Sequence, residues 1–125
     1  MYITREGRVA EFNSAGGVGT VSSGGNLALA VTNFSEELAE FNEAMAEYIA
    51  NPSEETREAM VKEWADVQFT LSGIAYYFEF DGEEAFTRVA NNNMTKVSSD
   101  GTIKKRADGK ILKPEGYKKP DMKGL

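Results

Sequence analysis

Residues 36–66 read EELAEFNEAMAEYIANPSEETREAMVKEWAD, and this stretch decides the fold. Two acidic pairs lie at mirrored distances from the helix-breaking Asn51-Pro52-Ser53: Glu37 with Glu40, and Glu63 with Asp66. If the segments on either side of Pro52 are antiparallel helices, both pairs lie at one height, because each residue advances a helix by about 1.5 Å. Four carboxylates then converge, and they repel one another unless cations lie between them.

The residue types around this cluster indicate which cation it would bind. The chain has no histidine and no cysteine, so only oxygen ligands are at hand. Such ligands favour a hard divalent ion, which predicts Mg²⁺, with Mn²⁺ as an alternative, and therefore phosphate chemistry. The same absences exclude a disulfide framework, a zinc ribbon, a thiolate nucleophile and the Glu-x-x-His motif of di-iron bundles.

Outward from this stretch, apolar residues recur at helical spacing and predict four helices. We expect them at 3–14, 26–50, 54–80 and 82–97, with Ser53 and Asp81 as N-caps of the third and fourth. The predicted core face of the second helix comprises Val31, Phe34, Leu38, Phe41, Met45 and Tyr48. That of the third comprises Met60, Trp64, Val67, Leu71, Ile74 and Phe78.

The segments that flank these helices are of two kinds. Residues 14–25 form a glycine-serine loop that resembles neither phosphate-binding motif, which leaves a substrate lid or, slightly favoured, a plain linker. Residues 102–113 predict a small β-hairpin that turns at Asp108-Gly109, followed by an extended arm. The fold class expected is therefore all-α: a four-helix bundle-type domain on a helical hairpin core, with a short C-terminal β-hairpin and tail, in an oligomer.

With 125 residues the chain is expected to be one domain. Residues 1–25 supply the N-terminal helix and loop, 26–98 the helical core and 99–125 a basic tail. No run of about 20 apolar residues and no signal peptide is recognisable, which predicts a cytoplasmic protein without a membrane partner.

The net charge is −6, but the acidic and basic residues are concentrated in different segments of the chain. Residues 36–66 include ten acidic and two basic residues, whereas residues 96–123 include nine basic and four acidic residues. A metal-bound polyanion could approach the acidic segment while the basic tail closes over its phosphates. A solvated acidic helix face with a basic tail explains the same pattern equally well.

Several motifs together resemble those of one known family. The chain contains Glu36-Glu37-Leu38-Ala39-Glu40, then 22 residues, then Glu63-Trp64-Ala65-Asp66. This pattern resembles the EExxE…ExxD signature of the all-α nucleoside triphosphate pyrophosphatases, the MazG-like and phosphoribosyl-ATP pyrophosphohydrolase-like superfamily. Asn91 to Val97 is similar to the family's Asn-x-x-Lys segment. Residues 106–113 and 117–120 are similar to the tails of phage and bacterial members, and the likeness spans about residues 27–121.

The resemblance implies a role for each matched residue. Glu37, Glu40, Glu63 and Asp66 correspond to the metal ligands, and Glu36 to the glutamate that orients or deprotonates the attacking water. Asn93 and Lys96 correspond to contacts with phosphate or sugar, although Lys96 is also explained as a cation in the last turn of a helix. The remaining candidate substrate contacts are Lys110, Lys113, Lys118, Phe12 and Asn13. Trp64 could hold a base, but a core position is favoured.

The function implied by the family is Mg²⁺-dependent hydrolysis of a nucleoside triphosphate to the monophosphate and pyrophosphate. The lysine-rich tail favours a house-cleaning enzyme that acts on deoxynucleotides, and phosphoribosyl-ATP is the alternative substrate. A different class stays open as well: a non-enzymatic helical adaptor whose acidic face binds a basic partner. We expect a small-molecule nucleotide substrate, no nucleic acid polymer, and a homodimer or homotetramer.

Overall fold

The structure, a computed structural model, describes residues 4–125. The chain divides into two compact units, one ending at Phe80 and the other spanning Asp81–Leu125. The first unit contains α1 (Arg5–Ala15), α2 (Leu27–Ala50) and α3 (Glu54–Phe78), and the second contains α4 (Gly82–Met94). The prediction of an all-α protein is confirmed. The boundary falls inside the segment 26–98 that we expected to be one helical core, and each unit is described separately below.

Polar caps fix where the helices begin. Thr4 caps α1 by accepting a hydrogen bond from the backbone amide of Gly7, and Asn26 caps α2 by accepting one from Leu29. Ser53 and Thr56 form a reciprocal capping box at the start of α3. Asp81 accepts from the Glu84 amide and caps α4. The caps predicted at Ser53 and Asp81 are therefore confirmed.

Two helices end earlier than the sequence predicts: α3 ends at Phe78, two residues before the predicted end, and α4 shows the larger difference. This helix stops at Met94, three residues before the predicted end at Val97. The amides of Thr95, Lys96 and Val97 bond to carbonyls three residues earlier, so the chain continues as tight turns instead of an α-helix. The predicted start of α1 at Ile3 lies outside the described residues.

In the first unit, α2 and α3 pack side by side across the Asn51-Pro52-Ser53 turn, and α1 packs against α3. The short turn makes α2 and α3 antiparallel, as the mirrored acidic pairs require.

The glycine-serine loop is attached to the C-terminal end of α3. The hydroxyls of Thr20 and Ser22 both donate to one carboxylate oxygen of Glu79. The amide of Val21 bonds to the Tyr77 carbonyl at 2.7 Å, and the Tyr76 hydroxyl donates to the Val18 carbonyl at 2.7 Å. These hydrogen bonds hold the segment against α3, an arrangement that fits neither a free linker nor an open lid.

The second unit departs from the predicted β-hairpin over 102–113. No strand forms in residues 4–125; two isolated antiparallel bridges join Val97 with Ile103 and Lys105 with Ile111. The expected turn is present, since Gly109 has a φ of +89° and its amide bonds to the Arg106 carbonyl. All side chains from 101 to 116 are exposed, so no apolar face stabilises a longer ladder.

The predicted core faces of α2 and α3 are only partly covered, which corrects the prediction of a buried core. Seven of the twelve residues are half-buried, and five are exposed: Val31, Leu38, Trp64, Leu71 and Phe78. The buried apolar residues of the described chain are Val9, Ala30 and Ala75, all small or medium in size. Trp64 and Leu71 on α3 keep 48% and 49% of their surface exposed, and Trp64 is therefore not a core residue of this chain. None of the twelve stripe residues is fully buried, so the two stripes do not form a closed core within the described chain. Among the described helices, none has the length and apolarity that a bilayer crossing requires.

Candidate metal centre

Three of the four predicted ligands converge between α2 and α3. Glu37, Glu63 and Asp66 each offer a carboxylate oxygen, and these oxygens lie within 4.8 Å of one another. Glu37 comes from α2, while Glu63 and Asp66 stand one turn apart on α3. An i, i+3 spacing places side chains on one face of a helix, so the antiparallel packing of α2 and α3 brings the acids together. We call these three residues the carboxylate cluster.

Two oxygens of the cluster are buried without a hydrogen-bond partner. They are Oε2 of Glu37 and Oε2 of Glu63. A buried acceptor without a partner is costly, and such atoms are few in native proteins. Because both atoms belong to carboxylates that repel each other, a cation between them would remove two costs at once. The donor set, which is oxygen alone, fits Mg²⁺ or Mn²⁺.

The electrostatics of Glu37 reflect this crowding. Its pKa is raised above the ordinary value of 4.5, first because burial disfavours the charged form and then because Glu40, Asp66 and Glu63 add negative charge. Proximity of like charges raises a carboxyl pKa in the way that the mirrored pairs predict. A divalent cation would reverse the shift, since it stabilises the ionised carboxylate.

Lys62 is a member of the site that the sequence analysis did not assign. Its ammonium nitrogen lies 2.5 Å from Oδ2 of Asp66 and 3.5 Å from Oε1 of Glu63. The lysine side chain is exposed, and its pKa is raised by the hydrogen bond and the charge of Asp66. Lys62 therefore neutralises part of the cluster from the solvent side. The signal in the sequence was the i, i+4 spacing from Asp66, which is common on helices without functional meaning.

The two other predicted acids lie at the edge of the cluster. Glu40 is not one of the three converging residues, yet its charge is the second-largest cause of the raised pKa of Glu37. Glu36 is exposed, as expected for a position rotated by about 100° from Glu37 on α2.

Phe12 and Asn13 line a small pocket of about 150 Å³ where α1, α2 and α3 meet. Asn33 and Thr70 also line it, and each stands four residues from a cluster residue, Asn33 from Glu37 and Thr70 from Asp66. The pocket is therefore about one helical turn, or roughly 6 Å, from the carboxylates. Complete small-molecule sites occupy about 300–1,000 Å³, so this pocket would hold only part of a ligand.

A larger groove of about 670 Å³ lies between α1 and α3. Its walls include Phe12, Trp64 and Phe69, with the Arg5 guanidinium 5.8 Å from the centre of the Trp64 ring. On the helical wheel of α3, the residues of this groove point away from the face that carries Glu63 and Asp66. The structure thus gives Trp64 a place in the groove and not beside the cluster.

The remaining predicted contacts belong to the second unit. The Lys96 ammonium donates to Oδ1 of Asn93 at 2.9 Å, so the two residues of the Asn-x-x-Lys segment are bonded to each other. The ammonium groups of Lys96 and Lys113 lie 5.5 and 5.3 Å from the centre of the Tyr117 ring. Lys118 contributes its carbonyl oxygen to a hydrogen bond from Asn92, and Lys110 is exposed next to the Asp108-Gly109 turn.

A scan against models of known protein families finds no match to this chain, and a comparison with curated proteins finds no similar sequence.

Proposed function

We propose that the chain is a Mg²⁺-dependent nucleoside triphosphate pyrophosphohydrolase, related to the all-α superfamily that its motifs resemble. It would hydrolyse a ribo- or deoxynucleoside triphosphate, or a related nucleotide, to the monophosphate and pyrophosphate. The observation that carries the proposal is the convergence of Glu37, Glu63 and Asp66 with two buried, unpartnered carboxylate oxygens. An acidic helix surface without a ligand would be expected to turn such oxygens toward water.

The proposed chemistry gives each acid a defined task. Glu37, Glu63 and Asp66 would hold Mg²⁺, with Glu40 completing the set. When bound, the ion supplies positive charge for the phosphate oxygens and makes water more acidic. Glu36 would accept the proton of the attacking water, whose oxygen bonds to the α-phosphorus. The bond from that phosphorus to the bridging oxygen breaks, and pyrophosphate leaves with that oxygen.

An acidic protein needs positive charge to bind a polyanion, and residues 96–123 contain nine basic residues. Lys96, Lys110, Lys113 and Lys118 are proposed to contact the phosphates, and Asn93 to donate a directional hydrogen bond from its amide nitrogen. Phe12 and Asn13 are proposed to contact the nucleoside, because their pocket is about one turn from the carboxylates.

The assembly is proposed to be a homodimer or homotetramer. On α3, Trp64, Leu71 and Phe78 are spaced seven residues apart and all remain exposed. On α2, Val31 and Leu38 share the same spacing and are exposed too. Apolar positions repeated every seven residues form the seam along which helices pack against each other. A second copy would cover these seams and complete a helical bundle.

A screen for pyrophosphate release tests the function. Purified protein with Mg²⁺ or Mn²⁺ is incubated with ribo-, deoxy- and modified nucleoside triphosphates and with phosphoribosyl-ATP. We expect turnover of at least one substrate. Asp66→Asn should lower activity by more than about 100-fold, since even residues that only support metal ligands are worth about 10–100-fold. Glu43→Gln, an exposed position on the same acidic segment, should leave activity unchanged.

Two results would count against the enzyme. Absence of pyrophosphate release across the whole panel would favour the acidic adaptor, which needs no divalent ion. Full activity in Asp66→Asn would remove the proposed metal ligands even if the protein proved to be a hydrolase.

A further inference from the structure

Three lysines of the second unit line one pocket. Lys96, which follows α4, and Lys104 and Lys113 from the C-terminal segment border a cavity of about 230 Å³. Ser98, Leu112, Pro114 and Glu115 complete its lining. We call this the lysine pocket. Lys104 was not singled out in the sequence, because it sits in the run Lys104-Lys105-Arg106, where nothing distinguishes one cation from the next.

The charges of this pocket are not compensated by nearby acids. Within residues 4–125, no carboxylate lies within 4.0 Å of the ammonium of Lys96, Lys104 or Lys113, although four other ion pairs form. Glu115 lines the pocket without forming such a pair. Like charges that share a site repel each other unless an anion joins them. The lysine pocket is thus a concentration of uncompensated positive charge within the second unit.

Tyr117 holds two of these lysines near each other. Both Lys96 and Lys113 place their ammonium groups within 5.5 Å of the centre of its ring, inside the range for a cation–π interaction. The ring itself is fixed, because the Tyr117 hydroxyl donates to Oδ1 of Asn92 on α4 at 2.8 Å. The same Asn92 donates to the Lys118 carbonyl at 2.7 Å. The tail is therefore tied to α4, which keeps the ammonium groups of Lys96 and Lys113 beside the same ring.

We propose that the lysine pocket binds a chain of linked phosphates, and that it does so without a divalent ion. Several adjacent ammonium groups suit an anion with several adjacent charges, and lysine binds phosphate as a point charge. Assigning this phosphate chain to a substrate rests on the proposed function. Binding of the polyphosphate itself depends on the second unit alone.

The test is calorimetric titration of the intact protein with inorganic tripolyphosphate in the presence of a chelator. Wild-type protein should bind, and Lys104→Met and Lys113→Met should each weaken binding by about fivefold or more, as expected for a charge-assisted contact in a partly exposed site. Lys105→Met is the matched control, since it removes the same charge from the next residue, which does not line the pocket. It should change affinity by less than about twofold. Tyr117→Leu should weaken binding, and Tyr117→Phe should retain the ring and most of the affinity.

Three results would overturn the inference. Equal losses in the Lys104, Lys105 and Lys113 variants would show diffuse attraction by the basic segment. Sulfate competing as well as tripolyphosphate at equal concentration would show that the site does not select a phosphate chain. No binding by wild-type protein would remove the site while leaving metal-dependent turnover intact. Conversely, if Asp66→Asn binds tripolyphosphate but no protein releases pyrophosphate, the pocket stands and the proposed enzyme does not.

Discussion

At the scale of single residues, Lys62 is the cation that the proposed metal would displace. Its ammonium contacts Asp66 and Glu63 at the exposed side of the cluster, whereas Oε2 of Glu63 is buried without a partner. A divalent ion and an ammonium group compete for the same carboxylates. The ion carries twice the charge, and the lysine is free to swing into solvent because its side chain is 67% exposed.

We therefore predict that Lys62→Met binds Mn²⁺ about two- to fivefold more tightly than wild type, which is the range that an exposed ion pair provides. The metal-free variant should also melt at a lower temperature, because the carboxylates lose their counter-ion. Titration calorimetry measures the first effect and thermal melting with a chelator the second. Arg57→Met removes a positive charge from the same helix and should change neither. Equal Mn²⁺ affinity in wild type and Lys62→Met would contradict the prediction.

The buried oxygen of Glu63 leads to a second prediction. Glu63→Gln removes one negative charge from the cluster, so the metal-free protein should melt at a higher temperature than wild type. The same variant should lose most of the rise in melting temperature that Mg²⁺ produces, since an ion that binds only the folded state stabilises it. Glu43→Gln is the control and should keep the full Mg²⁺ response. A Glu63→Gln protein that responds to Mg²⁺ like wild type would exclude Glu63 as a ligand.

Only part of the carboxylate cluster and its contacts could be predicted from the sequence. The meeting of Glu37 with Glu63 and Asp66 could be predicted, because helix periodicity and one short turn fix where their backbones lie. The contact of Lys62 could not, since its i, i+4 spacing from Asp66 is common on helices and the reach of a long side chain depends on its rotamer. Glu40 illustrates the same limit. It shares the spacing of the other acids, yet it is not among the three whose oxygens converge.

At the scale of elements, the glycine-serine loop is held by the end of α3. Glu79 has a left-handed backbone conformation with a φ of 59°. Its carboxylate accepts hydrogen bonds from the hydroxyls of Ser22 and Thr20. The hydrogen bond from Ser22 and then that from Thr20 lower the pKa of Glu79. The folded state thus favours the ionised carboxylate more than the unfolded state does. This stabilisation is complete above the ordinary value of 4.5 and is lost as the pH falls through the lowered pKa of the folded protein.

We predict that Glu79→Gln melts at a lower temperature than wild type near neutral pH, and that the difference vanishes in acid. Hydrogen exchange of the Val21 amide, which bonds to the Tyr77 carbonyl, should become several-fold faster in the variant. Glu83→Gln, an exposed acid that follows in α4, serves as the control. A melting difference that stays constant from neutral pH into acid would show that the carboxylate does not act through its ionisation.

The elements differ in how well their sequences specify them. The starts of α3 and α4 follow from Ser53 and Asp81, because a side chain that caps a helix acts on amides within the next three residues. The anchoring of the loop joins residues nearly 60 positions apart, so no local pattern contains it. The β-hairpin over 102–113 was predicted from its Asp-Gly turn, but the turn alone does not form a ladder. Half of the ten flanking residues are lysine or arginine, and the flanks bury no common face.

At the scale of the whole molecule, the sequence predicts the apolar stripes of α2 and α3 but not that they stay partly exposed in the single chain. The periodicity of α2 and α3 correctly gives two helices with apolar stripes, but it does not say what covers them. Within the described chain only small and medium apolar residues are buried, whereas Trp64, Leu71 and Phe78 remain exposed. Burying one such large side chain contributes about 1.5–3 kcal/mol, so leaving the seam open forgoes much of the available stability. A second copy of the chain is the partner that we propose.

The assembly is tested by a pair of substitutions on α3. Leu71 and Val61 are both 49% exposed, but only Leu71 lies on the seam with Trp64 and Phe78. Leu71→Glu should shift sedimentation toward the monomer and lower the melting temperature by more than about 4 °C, the effect of losing about 1 kcal/mol in a domain of this size. Val61→Glu should do neither. Because mass action links assembly to stability, the wild-type melting temperature should also rise with protein concentration. A monomer at all concentrations, with equal effects of the two substitutions, would show that the seams are not the interface.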